Sequence, residues 1–380
     1  MRVLAVDVGT GTQDILLFDT ERGVENCFRL VMPSPTVRVA ELVREATAAG
    51  DDILLTGVTM GGGPCHWAVN DHLAAGYRVY ATPYAARTFN DVLEEVEEMG
   101  VTIVGEDEAA GMTGIRHIEM RDFHLDAIRD ALRAFGTTLD VDAYAAAVFD
   151  HGNAPPGYSD RAFRFDYLRE RLGSQRGLAE FAFWADEIPE RFTRLQAVAD
   201  SVAATDGDAP LLVMDTGPAA VLGALEDPRV AREEPVVIVN IGNFHTLAFH
   251  LAAGDGPGNP QPDIAGVFEH HTGELTPAQL TTYLRKLAAG EITNDEVFDD
   301  MGHGAIVRFR PARAPQLFAV TGPRRNMIRG TDLPVYLAVP HGDMMLAGCF
   351  GLVRAYAGKR PEHAEEIGAA LAGTREVSLW

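Results

Sequence analysis

The order of short apolar runs and helical stretches is the same near both ends of this 380-residue chain, and that repetition constrains the fold more than any other feature. At the N-terminal end, Arg2 to Val8 reads as a buried strand. Asp14 to Asp19 and Val24 to Val31 follow it, with Glu21-Arg22-Gly23 as a turn between them. Three strands joined by short turns make an antiparallel meander. Val37 to Ala49 then reads as a helix stopping at Gly50, a residue suited to the left-handed position after a helix. Ile53 to Thr56 is the next strand, and it breaks into the loop Met60-Gly61-Gly62-Gly63-Pro64. Towards the other end, Pro235 to Asn240, His245 to Ala252 and Ile264 to Glu269 read as strands. Helices follow at Pro277 to Ala289 and Asp295 to Met301, strands at Leu317 to Val320 and Val335 to Val339, and a closing helix at Asp343 to Tyr356. Such alternation argues an α/β fold. The order βββ-α-β-α-β-α occurs twice, a duplication of pattern without sequence identity.

Between the two lies a helix-rich stretch, about 123–205, containing the Pro- and Gly-bearing loop NAPPGYSD from Asn153. It is read as an elaboration of the first domain. Leu211 to Met214 is a strand, and TGPAAVLGALEDP turns it into a helix ending near Pro228. The expected domains are 1–230 and 231–380.

Charge and cysteine content exclude several function classes. Lys and Arg number 32 against 55 Asp and Glu, a formal charge of −23. That balance disfavours nucleic acid, which needs basic surface, and a polybasic membrane contact. The expected partner is a small-molecule substrate, with a homodimer as a candidate assembly. Cys27, Cys65 and Cys349 are far apart. Their spacing supplies no disulfide framework, zinc ribbon or three-cysteine cluster loop. No apolar run reaches the ~18 residues of a membrane span, and MRVLAVDVGTG reads as a strand rather than a signal peptide. The expected location is the cytoplasm.

The chemistry is concentrated in turns. In LAVDVGTGTQDILLFD, from Leu4, a hairpin turn holds Gly9, Thr10, Gly11, Thr12 and Gln13. A turn dense in Gly and Thr leaves backbone N–H groups and hydroxyls free for phosphate oxygens. Asp7, at the strand end, can hold Mg²⁺ through water. The pattern of strand, Asp-x-Gly-Thr, turn and second strand ending in Phe-Asp resembles the first phosphate loop of the actin-like ATPase and sugar kinase superfamily. Further segments follow in that family's order. The stretch from Ile53 to Val96 is similar to the substrate side of carbohydrate kinases of the glycerol and xylulose type, with Gly62 and Gly63 in its small-residue loop and Arg87 matching the family's arginine. LLVMDTGPAAVLGALEDP resembles the strand and crossover helix that carry the catalytic carboxylate. VVIVNIGNFHTLAFHL, with Gly242, Asn243 and Thr246, resembles the second phosphate hairpin. LFAVTGPRRNMIRG, with Gly322 and Arg325, resembles the adenosine loop, and the closing helix follows.

The resemblance implies two RNase H-like domains, each a βββαβαβα unit with a mixed five-stranded sheet, around an interdomain nucleotide cleft. It implies ATP and Mg²⁺ as cofactors, the ion at Asp7, and Asp215 as acceptor of the substrate proton. The chain departs from the family at defined places. Gln13 and Asp14 stand where a basic residue is often found, and the only lysines, Lys286 and Lys359, are in neither loop. Gly217-Pro218 replace the expected acid, leaving Asp215 two residues earlier. Asn240 and Asn243 stand where the second hairpin carries a carboxylate, and the acid before Arg87 is missing. The chain is also similar to a prokaryotic family some of whose members carry the label pyruvate formate-lyase activating enzyme. That label implies a radical iron–sulfur cluster, for which the scattered cysteines have no local motif.

Histidines recur where strands and turns end: His151, His245, His270, His271, His303 and His341. Several can meet at the cleft with Asp150, Glu269 or Asp343, as a metal site or general base; local hydrogen bonding is the alternative for each. Adjacent strand residues face opposite ways, so at most one of His270 and His271 joins a shared site. The same argument disfavours Cys65 and His66 as a nucleophile–base pair. Three functions remain open: an ATP-dependent phosphotransferase acting on a small hydroxylated substrate, a nucleotide-binding ATPase or regulator using the helical middle as partner surface, and a cleft repurposed for hydrolysis with a His/Asp metal site.

Overall fold

The N-terminal run folds as β1 (Arg2–Val8) and β2 (Thr12–Asp19), paired antiparallel from Arg2 opposite Asp19 to Val8 opposite Gln13. The structure is a computed structural model and describes residues 1–174, 177–206, 209–253 and 262–374. β3 (Phe28–Pro33) completes the meander. It starts later than the expected Val24, because Val24–Asn26 closes a single 3-10 turn that buries Val24. Helix α1 (Pro35–Ala49) begins with Pro35, whose missing N–H has no partner to lose at that position, and Gly50 follows its end at φ 77°.

Ile53 then leads away from the first sheet. β4 (Ile53–Gly57), β5 (Val79–Ala81), β6 (Val101–Ile103) and β7 (Arg116–Met120) form a separate four-stranded parallel sheet in the order β6-β5-β4-β7. It has its own core, with Val39, Val43, Ile53, Leu55, Val69 and Val79. The place beside β1 is taken by β8 (Ala143–Val148), parallel, with Val3 opposite Ala143. Two expectations are corrected here. Ile53 to Thr56 is not the fourth strand of the first sheet. The 123–205 stretch, of which 175 and 176 lie outside the described residues, is more than helical elaboration. It carries α2 (Asp160–Ser174) and α3 (Thr193–Ala203), and it also delivers β8 and β9 (Ala182–Trp184) to that sheet. The physical reason is that β4 and β8 are both short, apolar runs. Periodicity identifies such a run as a strand and is silent on its partner.

β10 (Leu211–Asp215) runs parallel to β8, and the first sheet reads β3-β2-β1-β8-β10-β9. α4 (Thr216–Ala224) follows directly. The second sheet comprises β11 (Val236–Ile241), β12 (His245–Ala252), β13 (Asp263–His271), β14 (Gly304–Val307), β15 (Phe318–Thr321) and β16 (Val335–Leu337), in the order β14-β13-β12-β11-β15-β16. Each sheet thus has six strands where five were expected, the additions being the antiparallel outer strands β9 and β14. Without those two, both sheets place their strands in the same spatial order: third, second, first, fourth, fifth.

α4 and α5 (Ala347–Lys359) cross between the two large sheets. Glycines permit the crossing: a Cβ on Gly223 would lie 1.7 Å from the Ala347 carbonyl oxygen, and one on Gly351 1.8 Å from that of Ala219. One continuous core, including Val3, Leu16, Val221, Ile238, Phe249 and Phe350, joins both sheets. Cys349 Sγ of α5 lies 3.1 Å from the Asp14 carbonyl oxygen. A helix from the C-terminal part is therefore built onto the first sheet, across the expected division at 230/231. Among the described residues, no helix is long and apolar enough to cross a membrane.

Candidate functional site

The turns of the β1–β2 and β11–β12 hairpins meet over one cavity of about 730 Å³. The same bond closes each turn: Gly9 N–H donates to the Thr12 carbonyl at 2.9 Å, and Gly242 N–H to that of His245 at 2.9 Å. The hairpins also touch. A Cβ on Gly11 would lie 2.3 Å from Asn243 Nδ2, so a larger residue there would have to displace the Asn243 amide. Gly322, at φ 96°, lets its loop lie on the end of β11.

Asp7, Gly9, Thr10, Gly11, Thr12, Gly62, Gly63, Arg87, Gly242, Asn243 and Gly322 all line this cavity. The other four residues singled out from sequence are not on its wall. Gln13 turns its side chain to the Pro33 carbonyl at 3.2 Å. Thr246 is buried against Thr272, hydroxyl to hydroxyl at 3.0 Å. Arg325 sits in the turn after Gly322, with Nη1 buried and lacking a hydrogen-bond partner. Asp215 is occupied elsewhere, as described below. For Gln13 and Thr246 the reason is the period of the strand, which sends alternate side chains to opposite faces.

Asp7 has a partner that sequence reasoning did not select. Asp14 stands opposite it across the hairpin, and both line the cavity. Thr216 donates to Asp7 Oδ1 at 2.6 Å. A Cβ on Gly348 would fall 1.8 Å from Asp7 Oδ2, so α5 can close over this carboxylate only with glycine there. Asp14 Oδ1 is buried without a hydrogen-bond partner. Burial pushes the Asp7 carboxyl up to about 7, opposed by the Thr216 bond, and nearby Asp215 raises it further. Burial, then the charge of Asp7, pushes Asp14 up to about 8. Both values lie above the unfolded value of 3.8, so the stabilising contribution of the protonated forms is complete below pH ~4. It is lost as pH rises through about 7 to 8. Asp14→Asn is therefore expected to stabilise the metal-free protein at pH 8, by on the order of 2 kcal/mol, and to have little effect at pH 4. Urea melts at the two pH values check this; equal effects at both would show that Asp14 is not held protonated.

Asp215 caps α4: its Oδ1 accepts from Gly217 N–H at 3.0 Å. Arg164 of α2 takes both of its oxygens, at 2.6 and 3.3 Å. The same guanidinium binds Glu269 of β13 at 2.8–3.0 Å and donates to the Asp150 carbonyl at 3.0 Å. Arg164 lies over the Phe149 ring at 4.0 Å. Nothing in the helix RAFRFDYLRER marks Arg164 as the residue that will bridge the two sheets. Asp14 did leave a signal, as an acid inside the otherwise apolar strand QDILLF. Asp215→Asn is expected to lower stability by about 1–3 kcal/mol, through a weaker cap and a lost charged bond. Thermal unfolding checks this, and an unchanged melting temperature would contradict the arrangement.

The loop histidines divide into two groups. His151 follows β8, His245 opens β12 and His303 precedes β14. Their ring nitrogens lie within 4.8 Å of one another. His271, at the end of β13, is adjacent, its ring centroid 4.5 Å from that of His303. His270 points to the other face, towards Tyr283 and Asp300, and His341 packs on Phe350. Asp150 secures the loop by accepting from the N–H groups of Gly152, Arg194 and Leu195. Burial, then Arg164 and His271, pushes the His151 imidazole down to about 3. Burial and neighbouring rings hold His245 and His303 well below the ordinary histidine value. All three rings are neutral at pH 7.

The cysteines are buried apart from one another. Cys65 Sγ faces the Gly61 carbonyl, Cys27 those of Asp19 and Gly23, and Cys349 those of Ala5 and Asp14. Burial pushes the Cys65 thiol up to about 11, and His66 packs on Phe89 rather than on it. These residues do not fit a three-cysteine iron–sulfur cluster.

Comparison with solved structures finds similarity to a Listeria monocytogenes protein titled "a putative N-acetylmannosamine kinase" (10% identity, 94% of this chain and 99% of that one, TM-score 0.35). A ROK family glucokinase from Streptomyces griseus, in complex with glucose and AMPPNP, is also similar (12% identity, 93% and 98%, TM-score 0.32). So is the ethanolamine utilization protein EutJ from Carboxydothermus hydrogenoformans (12% identity, 93% and 89%, TM-score 0.31). No curated protein matches the chain. A family model described as "Putative pyruvate format-lyase activating enzyme (DUF1786)" matches residues 60–327. With well over half of its length matched, this chain belongs to the DUF1786 family.

Proposed function

We propose that the protein binds ATP–Mg²⁺ between its two glycine hairpins and transfers a phosphoryl group to a small hydroxylated substrate. The observation that carries this reading is the pairing of equivalent hairpins, one from each of two sheets with the same strand order, over a single cavity. We read each sheet with its helices as an RNase H-like unit, with the first spanning about 1–230 and the second 231–380 apart from the docking of α5. Turn N–H groups and the hydroxyls of Thr10 and Thr12 would hold the phosphates from one side, and Gly242 and Asn243 from the other.

The acid pair fits a hard divalent cation, because Asp14 keeps a buried unpaired oxygen beside Asp7. Asp7 and Asp14 would hold Mg²⁺, which when bound neutralises charge on the phosphates. Arg87, exposed at the cavity and without an ion pair among the described residues, supplies positive charge at the substrate end. Asp215 enters this proposal as a positioning carboxylate rather than as the base, since Arg164 holds both of its oxygens. Asp91, on the cavity wall and raised by burial, is the acid we assign to the substrate proton. The location we expect remains the cytoplasm.

The test is thermal unfolding with and without millimolar ATP–Mg²⁺, followed by ADP release with a panel of small polyols and sugars. Stabilisation with acceptor-dependent ADP release is the expected result; no thermal shift would overturn the reading. The engagement of Asp215 by Arg164 favours a second reading, a nucleotide-binding ATPase that regulates a partner. Acceptor-independent ADP release would select it.

A further inference from the structure

We propose that His151, His245 and His303 form a three-imidazole site for a zinc-class transition-metal ion in the cavity wall, separate from the Asp7–Asp14 pair. The site joins the two halves of the molecule, since His151 follows β8 of the first sheet while His245 opens β12 and His303 precedes β14 of the second.

One spacing is already that of two ligands around one ion, and candidate ligand nitrogens of all three rings lie within 4.8 Å of one another. His151 Nε2 and His303 Nε2 are 3.2 Å apart. Two imidazole nitrogens each ~2.0–2.1 Å from a shared ion stand roughly 2.9–3.4 Å apart, depending on whether the angle is square or tetrahedral. The rings are held in place: Phe149 stacks on His245, 3.9 Å between centroids and 5° between planes. His303 is fully buried, and its Nδ1 has no hydrogen-bond partner yet lies 3.6 Å from Glu269 Oε1. A small ring rotation gives the carboxylate–histidine–metal arrangement that orients metal-bound imidazoles. The charge of nearby Arg164 is taken up by Asp215 and Glu269, so it does not stand unpaired beside the site.

The donor set selects the ion. Three nitrogens and no oxygen suit zinc, cobalt or nickel rather than Mg²⁺ or Ca²⁺. His151 and His245 line the cavity, which leaves a fourth position open to a water or a substrate oxygen. That is the ligand count of sites which polarise a bound oxygen.

The test titrates the chelator-treated full-length protein with Co²⁺ and with Zn²⁺, following the visible absorption of tetrahedral cobalt and the melting temperature. One equivalent of either ion, with a raised melting temperature, is expected. His245→Ala and His303→Ala should abolish the cobalt band. His151→Gln, at a half-buried position, is the second variant should the buried one fail to fold. Glu269→Gln should weaken binding by about 10–100-fold. No stoichiometric ion in the native protein, or an unaltered cobalt band in folded histidine variants, would overturn the site. ATP–Mg²⁺ stabilisation in those variants should be unchanged, so failure of the nucleotide reading and failure of this one are distinguishable.

Discussion

Arg164→Met should lower the stability of the protein by about 3–5 kcal/mol, the scale of breaking a buried ion pair from one side. The Arg164 side chain is 3% exposed, that of Glu269 0% and that of Asp215 14%. Burial alone would push the guanidinium towards deprotonation, but the two carboxylates hold it firmly charged. Removing it leaves two carboxylates facing each other with little water to screen them. Part of the loss should return in the triple variant Arg164→Met, Asp215→Asn, Glu269→Gln, because neutral groups need no counter-charge. Urea unfolding of the single and triple variants measures both effects. A loss below 1 kcal/mol in the single variant would mean that water reaches the bridge and that it does not join the two sheets rigidly.

Asp7→Asn should erase the stabilisation of the protein by ATP–Mg²⁺. A ligand that binds only the folded state adds about 2.7 kcal/mol at a hundredfold excess over Kd. The variant should retain no more than a small part of that, because the amide keeps the shape and the Thr216 contact while losing the charge that anchors a cation. Without ligand, the same variant should be more stable than the native protein at pH 8, since a carboxyl raised to about 7 is ionised there at a cost. The two signs together separate a cation anchor from a merely structural residue, which would destabilise in both conditions. Differential scanning at pH 8, with and without ATP–Mg²⁺, reads both at once. A full ATP shift in Asp7→Asn would place the cation elsewhere.

Sequence by itself determined the local parts of this protein. The first hairpin, its glycine turn, the helix ending at Gly50 and most strands of the second sheet follow from apolar period and turn chemistry, which act between residues close in the chain. Eleven of the cavity-lining positions were also singled out, Asp7 and the turn from Gly9 to Thr12 by their own chemistry, and Gly62, Gly63, Arg87, Gly242, Asn243 and Gly322 by resemblance to the family's loops. Other features rest on distant partners. β4 and β8 read alike, and only the packed core decided which of them stands beside β1. Arg164 lies 51 residues from Asp215 and 105 from Glu269, and no local signal foretells that meeting. Each loop histidine was visible, but strand register sent His271 towards the cleft and His270 away from it. Asp215 was recognisable as a cap or a base, and the guanidinium brought to it by α2 settled its engagement. Local pattern sets what each segment becomes; burial of those segments against one another, with charges that must be paired where water is excluded, decides which residues meet.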